Sequence, residues 1–289
     1  MPTLACLNGE LMPADQARVP IWDRGFLFGD SVYEVLRIYR GRCWLEEAHL
    51  ARLRRSLGEL ALTNLDFDRL IVRMHQTISE SKVQEGTVYI QITRGVAPRN
   101  HAFPGPEVPP TELIIARTYD DTEMAGFRRE GVATISYPDL RWKRCDIKTT
   151  NLLPNCLANQ AAHVAGAYEA ILINSEGFVS EATHSSVLWV RDGRLEGTPE
   201  GPHILPGTTR HDMLRLAEAA GIPFHATEVT LDQLKQADEV MLTGTSIEVL
   251  PIVRIDDSPI ANGRPGPLAL RLQAAYRQAV ERWLAPGPV

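Results

Sequence analysis

The chain has 289 residues, 44% of them hydrophobic, with 30 basic residues against 36 acidic ones and a net charge of −6. That apolar content is ample for a packed core and excludes a disordered chain, and the acidic balance without a basic run excludes a nucleic-acid groove. Length predicts about two domains, and no apolar stretch approaches the ~20 residues that span a bilayer.

Four scattered cysteines, Cys6, Cys43, Cys145 and Cys156, lack CxxC spacing. With an N-terminus unlike a signal peptide, they predict reduced thiols in a cytoplasmic protein. Only four lysines, Lys82, Lys143, Lys148 and Lys235, stand against 26 arginines, so chemistry that needs a primary amine has four candidates.

Residues 32–39, VYEVLRIY, form a β-branched and aromatic strand pattern. Leu50, Leu53, Leu57 and Leu60 then recur at helical spacing, and a second helix follows around FDRLIVRMHQTISES. TVYIQITRG (87–95) alternates as a strand and runs into a loop stiffened by Pro98, Pro104, Pro106, Pro109 and Pro110. After the strand TELIIARTY (111–119) comes DDTEMAGFRRE, polar and without pattern, which places a domain boundary there: 1–120 and 121–289.

In the second part, GVATISY and RCDIK are strand-like and residues 155–167 form an alanine-rich helix ending at a glycine. Two hairpins are expected, turning at Ser175–Gly177 and at Asp192–Gly193. The helix TRHDMLRLAEAAG, a short helix LDQLKQA, the strands EVMLTG and EVLPIVRID and a C-terminal helix complete an α/β chain with mixed sheets.

Nucleotide, zinc-protease and hydrolase signatures are absent, and the eight histidines show no metal-ligand spacing. Two Gly/Thr turns stand out. LPGTTR (205–210) leads into a helix with Thr208 or Thr209 as N-cap, and LTGTS (242–246) ends a strand. Each offers backbone N–H groups and hydroxyls to an anion. Ordinary capping explains either alone, but the pair in one domain points to a small phosphorylated cofactor.

Lys148, in CDIKTTNLLPN, is expected at a strand end, sharing a face with Asp146. A partly desolvated amine there could form a Schiff base, against the plainer role of a surface lysine. Glu181, in FVSEATHSS, has apolar neighbours that make an unpaired carboxylate costly; the plain alternative is a solvated turn.

DRGFLFGDSVYEVLRIYRG, HLARL, TRGVAPRNHAFP, RWKRCDIKTTNLL, YEAILIN, LPGTTR and LTGTSIEVLPIVRID occur in an order and spacing that span nearly the whole chain. By these segments the chain resembles the fold type IV pyridoxal-phosphate aminotransferases, most of all the D-amino-acid branch. The resemblance implies a smaller N-terminal α+β domain, a larger C-terminal α/β pseudo-barrel domain, pyridoxal 5'-phosphate at their interface, and a cytoplasmic homodimer with no metal, nucleic-acid or membrane partner.

It further implies that Lys148 carries the Schiff base and moves the proton, that Glu181 pairs with the protonated pyridine nitrogen, and that Leu205 presses on the ring. Arg52 with Thr208, Thr209, Gly244 and Thr245 would hold the phosphate. Tyr33, Arg99 and His101 would hold the substrate α-carboxylate. The implied reaction is transamination of D-amino acids with a 2-oxo acid, D-alanine with 2-oxoglutarate leading. Branched-chain L-amino acids or aminodeoxychorismate lysis are the alternatives on this scaffold.

Ala182, His184 and Ser186 depart from the family's usual glycine and asparagine near the glutamate. Arg37 resembles the branched-chain enzymes, where another arginine could hold the carboxylate of L-substrates.

Overall fold

The computed structural model describes residues 3–285. They divide into two compact units, one of residues 3–120 with Ile147–Asn151, the other of Asp121–Asp146 with residues 152–285. No helix among the described residues is long and apolar enough to cross a membrane.

The first unit holds β1 (Leu4–Leu7), β2 (Glu10–Pro13), α1 (Arg24–Phe28), β3 (Ser31–Tyr39), β4 (Arg42–Cys43), α2 (Glu46–Glu59), α3 (Phe67–Ser81), β5 (Gly86–Thr93) and β6 (Thr111–Thr118). Its six strands run in the order β2-β1-β6-β5-β3-β4, every pairing antiparallel. Val32, Leu36 and Ile38 of β3 share one buried face, as period-2 geometry requires. They form a core with Ile90 of β5, Leu53 of α2, and Leu70 and Met74 of α3. Truncating a residue such as Leu53, fully buried there, costs about 2–5 kcal/mol.

The second unit begins with α4 (Thr122–Glu130), where the sequence shows no helical stripe. The reason is physical: its inward positions are Met124 and Arg128, and a buried arginine takes the place of an apolar residue. There follow β7 (Val132–Pro138), α5 (Leu153–Val164), β8 (Glu169–Ile173), β9 (Val179–Ala182), β10 (Ser186–Arg191), β11 (Arg194–Gly197), α6 (Thr208–Ala219), β12 (Phe224–Ala226), α7 (Leu231–Lys235), β13 (Glu239–Gly244), β14 (Glu248–Ile255), β15 (Ser258–Pro259) and α8 (Pro267–Leu284).

The main sheet path is β12-β11-β10-β13-β14-β7-β8-β9, with β15 on β14. It is mixed, parallel at β11–β12, β14–β7 and β7–β8. The sheet curls until its ends approach: the Val179 N–H of β9 donates to the Val229 carbonyl at 2.9 Å, just after β12, and Phe178 bridges to Thr230. Closure of this kind leaves few unpaired strand edges. The β10–β11 hairpin turns at Asp192 (φ 50°) and Gly193 (φ 72°), the paired left-handed residues of a tight two-residue turn.

Candidate active site

The RCDIK segment is not a strand: it forms turns, and the only ladder pairing near Lys148 is a bridge between Thr149 and Val32. Asp146 therefore shares no strand face with Lys148 and accepts from Arg144 Nε at 3.0 Å instead. Ile147 is buried in the core of the first unit. The Tyr33 N–H donates to the Lys148 carbonyl at 2.9 Å, and the Thr150 N–H to the Ser31 carbonyl at 3.3 Å. These contacts tie Lys148 to β3. Its Nζ lies 4.3 Å from the Tyr33 ring centroid, and that ring stacks on Tyr89 at 5.7 Å. Burial and the neighbouring Tyr33 push the Tyr89 phenol up to about 12.

Beside this pair, β3 presents a carboxylate on its buried face. Glu34 is fully buried. It accepts from Arg52 Nε at 2.6 Å and Nη2 at 2.9 Å and from His49 Nδ1 at 2.8 Å. Burial alone would raise Glu34, but Arg52 and His49 hold it well below the usual carboxylate range. Burial pushes His49 down, with Glu34 opposing and the Arg52 and Lys148 charges assisting.

Arg99 and His101 lie exposed in the proline-rich loop. They meet on one ring: the Arg99 guanidinium carbon is 5.3 Å from the Phe28 centroid, and His101 packs on Phe28 edge-on at 5.5 Å. Tyr33 sits apart from that ring, against Lys148 and Tyr89. The loop is pinned from below. Arg24 donates to the carbonyls of Asn100 (2.5 Å), Ala102 (3.4 Å) and His101 (3.5 Å). Asp30 holds both Arg24 and Arg94, and Arg94 covers the Phe103 ring at 3.5 Å.

The second unit carries the other candidates. Glu181, on β9, is 7% exposed. Its Oε1 accepts from Arg141 Nη1, and both of its oxygens lie 3.3 Å from the Leu205 N–H. Burial lifts the carboxyl above the ordinary glutamate range, and Arg141 pulls against that rise. The N-cap of α6 is Gly207, so Thr208 and Thr209 are the first helical residues, not the caps expected from the sequence.

Both Gly/Thr turns converge on the start of β10. A Cβ on Gly207 would come within 2.8 Å of Ser186 Oγ, and one on Gly244 within 3.7 Å of Ser185 Oγ. Ser186 pairs directly with Thr243, which puts their side chains on one sheet face. The buried Thr243 hydroxyl has no partner among the described residues. Thr245 follows, half-buried.

Residues 31–255 match the family described as amino-transferase class IV. The chain belongs to the class IV aminotransferases. Among relatives of this aminotransferase, the D-alanine aminotransferase of Staphylococcus aureus (strain N315) is 38% identical over 276 residues, covering 95% of this chain and 97% of that one. The Bacillus licheniformis D-alanine aminotransferase is 38% identical, covering 94% and 95%. Among solved structures, a T.th. branched-chain amino acid aminotransferase with pyridoxamine 5'-phosphate superposes with a TM-score of 0.88 at 27% identity, covering 97% of this chain and 94% of that one. The branched-chain enzyme of Escherichia coli, at 23% identity, TM-score 0.87 and coverage of 96% and 94%, shares the fold. The antiparallel sheet of the first unit, where the sequence predicts mixed sheets throughout, and the mixed, curled sheet of the second are those of a fold type IV aminotransferase.

Sequence reasoning on this aminotransferase passes over Glu34, His49 and Arg141. Glu34 has a visible signal, a carboxylate in register with Val32, Leu36 and Ile38 on a buried strand face, which demands a partner. Arg141 has none, being one arginine among 26. The turn after Glu181, which carries His184, closes on Glu169, fully buried. It accepts from Thr183 Oγ1 (3.0 Å), the His184 N–H (2.6 Å) and Ser185 Oγ (2.8 Å), and so holds the turn that follows β9.

Proposed function

We propose that this chain is a pyridoxal-phosphate-dependent D-amino-acid transaminase, with D-alanine and 2-oxoglutarate giving pyruvate and D-glutamate as the leading reaction. The observation that carries the reading is 38% identity to D-alanine aminotransferases over 95% of the chain. The state of Arg37 supports it. Its guanidinium donates to the Ile38 (2.8 Å) and Gly86 (2.7 Å) carbonyls and to Glu85 (3.3 Å), and its carbon lies 4.5 Å from the Tyr39 and 4.9 Å from the Tyr119 ring centroid. An arginine so engaged serves the fold, which leaves substrate carboxylates to Tyr33, Arg99 and His101.

The donor chemistry fits the cofactor. Lys148 offers an amine that rests on a phenol face and, among the described residues, forms no ion pair. Glu181 offers a buried carboxylate. The Gly207–Thr209 helix start, Gly244 and Thr245, with the unpartnered Thr243 hydroxyl beside them, offer anion-binding donors. Arg52 would add a guanidinium held in place by Glu34, and Leu205 a half-buried apolar surface for the ring.

Pyridoxal phosphate supplies an electron sink while its ring nitrogen stays protonated. Glu181 would stabilise that proton, and Lys148 would anchor the group and carry the proton moved at the substrate α-carbon. The Arg99 fork suits a carboxylate, and Arg24 restrains the backbone that carries it.

A cytoplasmic homodimer is the accompanying inference. The four cysteines are free thiols, in keeping with a reducing compartment. Ile21, Trp22, Phe26 and Phe103 of the first unit are each more than half exposed, and large apolar side chains of this kind are what a second copy would cover; sedimentation at micromolar protein should show a dimer, and a monomer would overturn this part. The test of function is a spectrophotometric screen of D- against L-amino acids on protein whose yellow colour is discharged by hydroxylamine. Faster turnover of L-leucine or L-valine than of D-alanine would overturn the D-selective reading.

A further inference from the structure

Behind Glu181 lies a charge relay in the second unit that the proposed reaction does not by itself require. Arg141 is 7% exposed at its side chain and uses the whole guanidinium. Nε and Nη2 donate to Asp139 at 2.9 and 2.7 Å, Nη1 donates to Glu181, and Nη2 also reaches the His203 carbonyl at 3.1 Å. Ser180, next to Glu181 on β9, donates its hydroxyl to Asp139 at 2.6 Å. Asp139 in turn accepts the Arg141 N–H at 3.1 Å, so a short turn after β7 presets the guanidinium.

Two carboxylates share this one guanidinium. The other charged or titratable groups that act on Glu181 and Arg141 are Arg210, matched by Glu200 at 3.0 Å, and the Cys145 thiol, which burial pushes up to about 12. With both carboxyls ionised, the cluster of Asp139, Arg141 and Glu181 would carry one net negative charge in a water-poor setting, the complement of one cation. Among the described residues, Arg141 engages Glu181 at Oε1 alone, and Oε2 keeps only the 3.3 Å Leu205 N–H.

We propose that Arg141, preset by Asp139, is a positioning residue that keeps Glu181 ionised and leaves its Oε2 for the protonated ring nitrogen of pyridoxal phosphate. The inference rests on the role given to Glu181 in the proposed function. Burial favours the neutral carboxyl, and an adjacent guanidinium is the counterweight; without it Glu181 would hold its proton and could not stabilise a second one.

The test is made first on the apoprotein. Carboxylate infrared bands are titrated with pH, and the Glu181 band is identified by its loss in Glu181→Gln. In the unaltered chain Glu181 should be ionised at pH 7, and a protonated band there overturns the proposal without any Arg141 variant. In Arg141→Gln, which keeps hydrogen bonding but not charge, and in Arg141→Met, the Glu181 midpoint should rise by about 1–3 pH units. Arg141→Lys should restore most of the difference, and an unmoved midpoint in a folded neutral variant overturns the proposal. With cofactor bound, the acid limb of kcat should move upward in the neutral variants while pyridoxal-phosphate affinity holds. A uniform loss of kcat at every pH would mark Arg141 as structural and also overturn the proposal. If Glu181→Gln retained full kcat, the role of Glu181 itself would fall, whereas the infrared titration reports on the hold of Arg141 independently.

Discussion

Arg52 and Glu34 meet in a two-point ion pair on the buried face of β3, with Nε to Oε1 at 2.6 Å and Nη2 to Oε2 at 2.9 Å. His49 completes the set on Glu34 Oε2. A guanidinium gripped this way has a fixed direction, which is what an arginine needs in order to serve an anion without first being ordered.

The first prediction concerns acid stability. His49 is held below its ordinary value, so the unfolded chain takes up a proton that the folded one resists, and stability falls as pH drops below about 6.5. Glu34 is also held down. Its contribution is complete above the unfolded glutamate value of about 4.3 and is lost as pH falls below it. Glu34→Gln should cost roughly 3 kcal/mol at pH 7, the scale of a buried pair broken on one side, and should flatten the acid limb. Urea unfolding between pH 8 and 3 measures both.

Removing the amine at Lys148 should leave the fold intact. Lys148→Ala is expected to lose at least the roughly 10²–10⁴-fold that acid–base catalysis contributes, while pyridoxal phosphate still binds reversibly through its phosphate donors. Near-normal turnover would sink the assignment, since Lys82, Lys143 and Lys235 are the only other lysines.

For Glu181→Gln, size and hydrogen bonding survive and the charge does not. We expect kcat to fall about 10²-fold or more with cofactor affinity little changed. A kcat within about twofold of the parent would make Glu181 a structural strand residue.

Arg99 and Arg37 should separate cleanly. Arg99→Ala should raise KM for D-alanine by roughly 10- to 100-fold, the worth of a charge-assisted hydrogen bond, with kcat largely retained. Arg24→Ala should move KM the same way by releasing the 100–102 backbone that it holds. Arg37→Ala should instead lower thermal stability and leave KM alone, because its bonds go to Ile38 and Gly86. An unchanged KM in Arg99→Ala would remove that residue from the substrate site.

What the sequence alone determined here is local. Alternation in VYEVLRIY set β3 and its buried face, leucine spacing set α2, and Asp192–Gly193 set a hairpin turn, because each depends on neighbours within a few residues. The order of its motifs also carried the family. Tertiary structure decided the rest. Lys148 joined the first unit because Ile147 found its core there, although the chain around it belongs to the second. The Gly/Thr turns at 207 and 244 met at Ser185 and Ser186, and Arg141 reached Glu181 from 40 residues away. Buried charges choose partners by which elements stack, and no period in the chain encodes that choice.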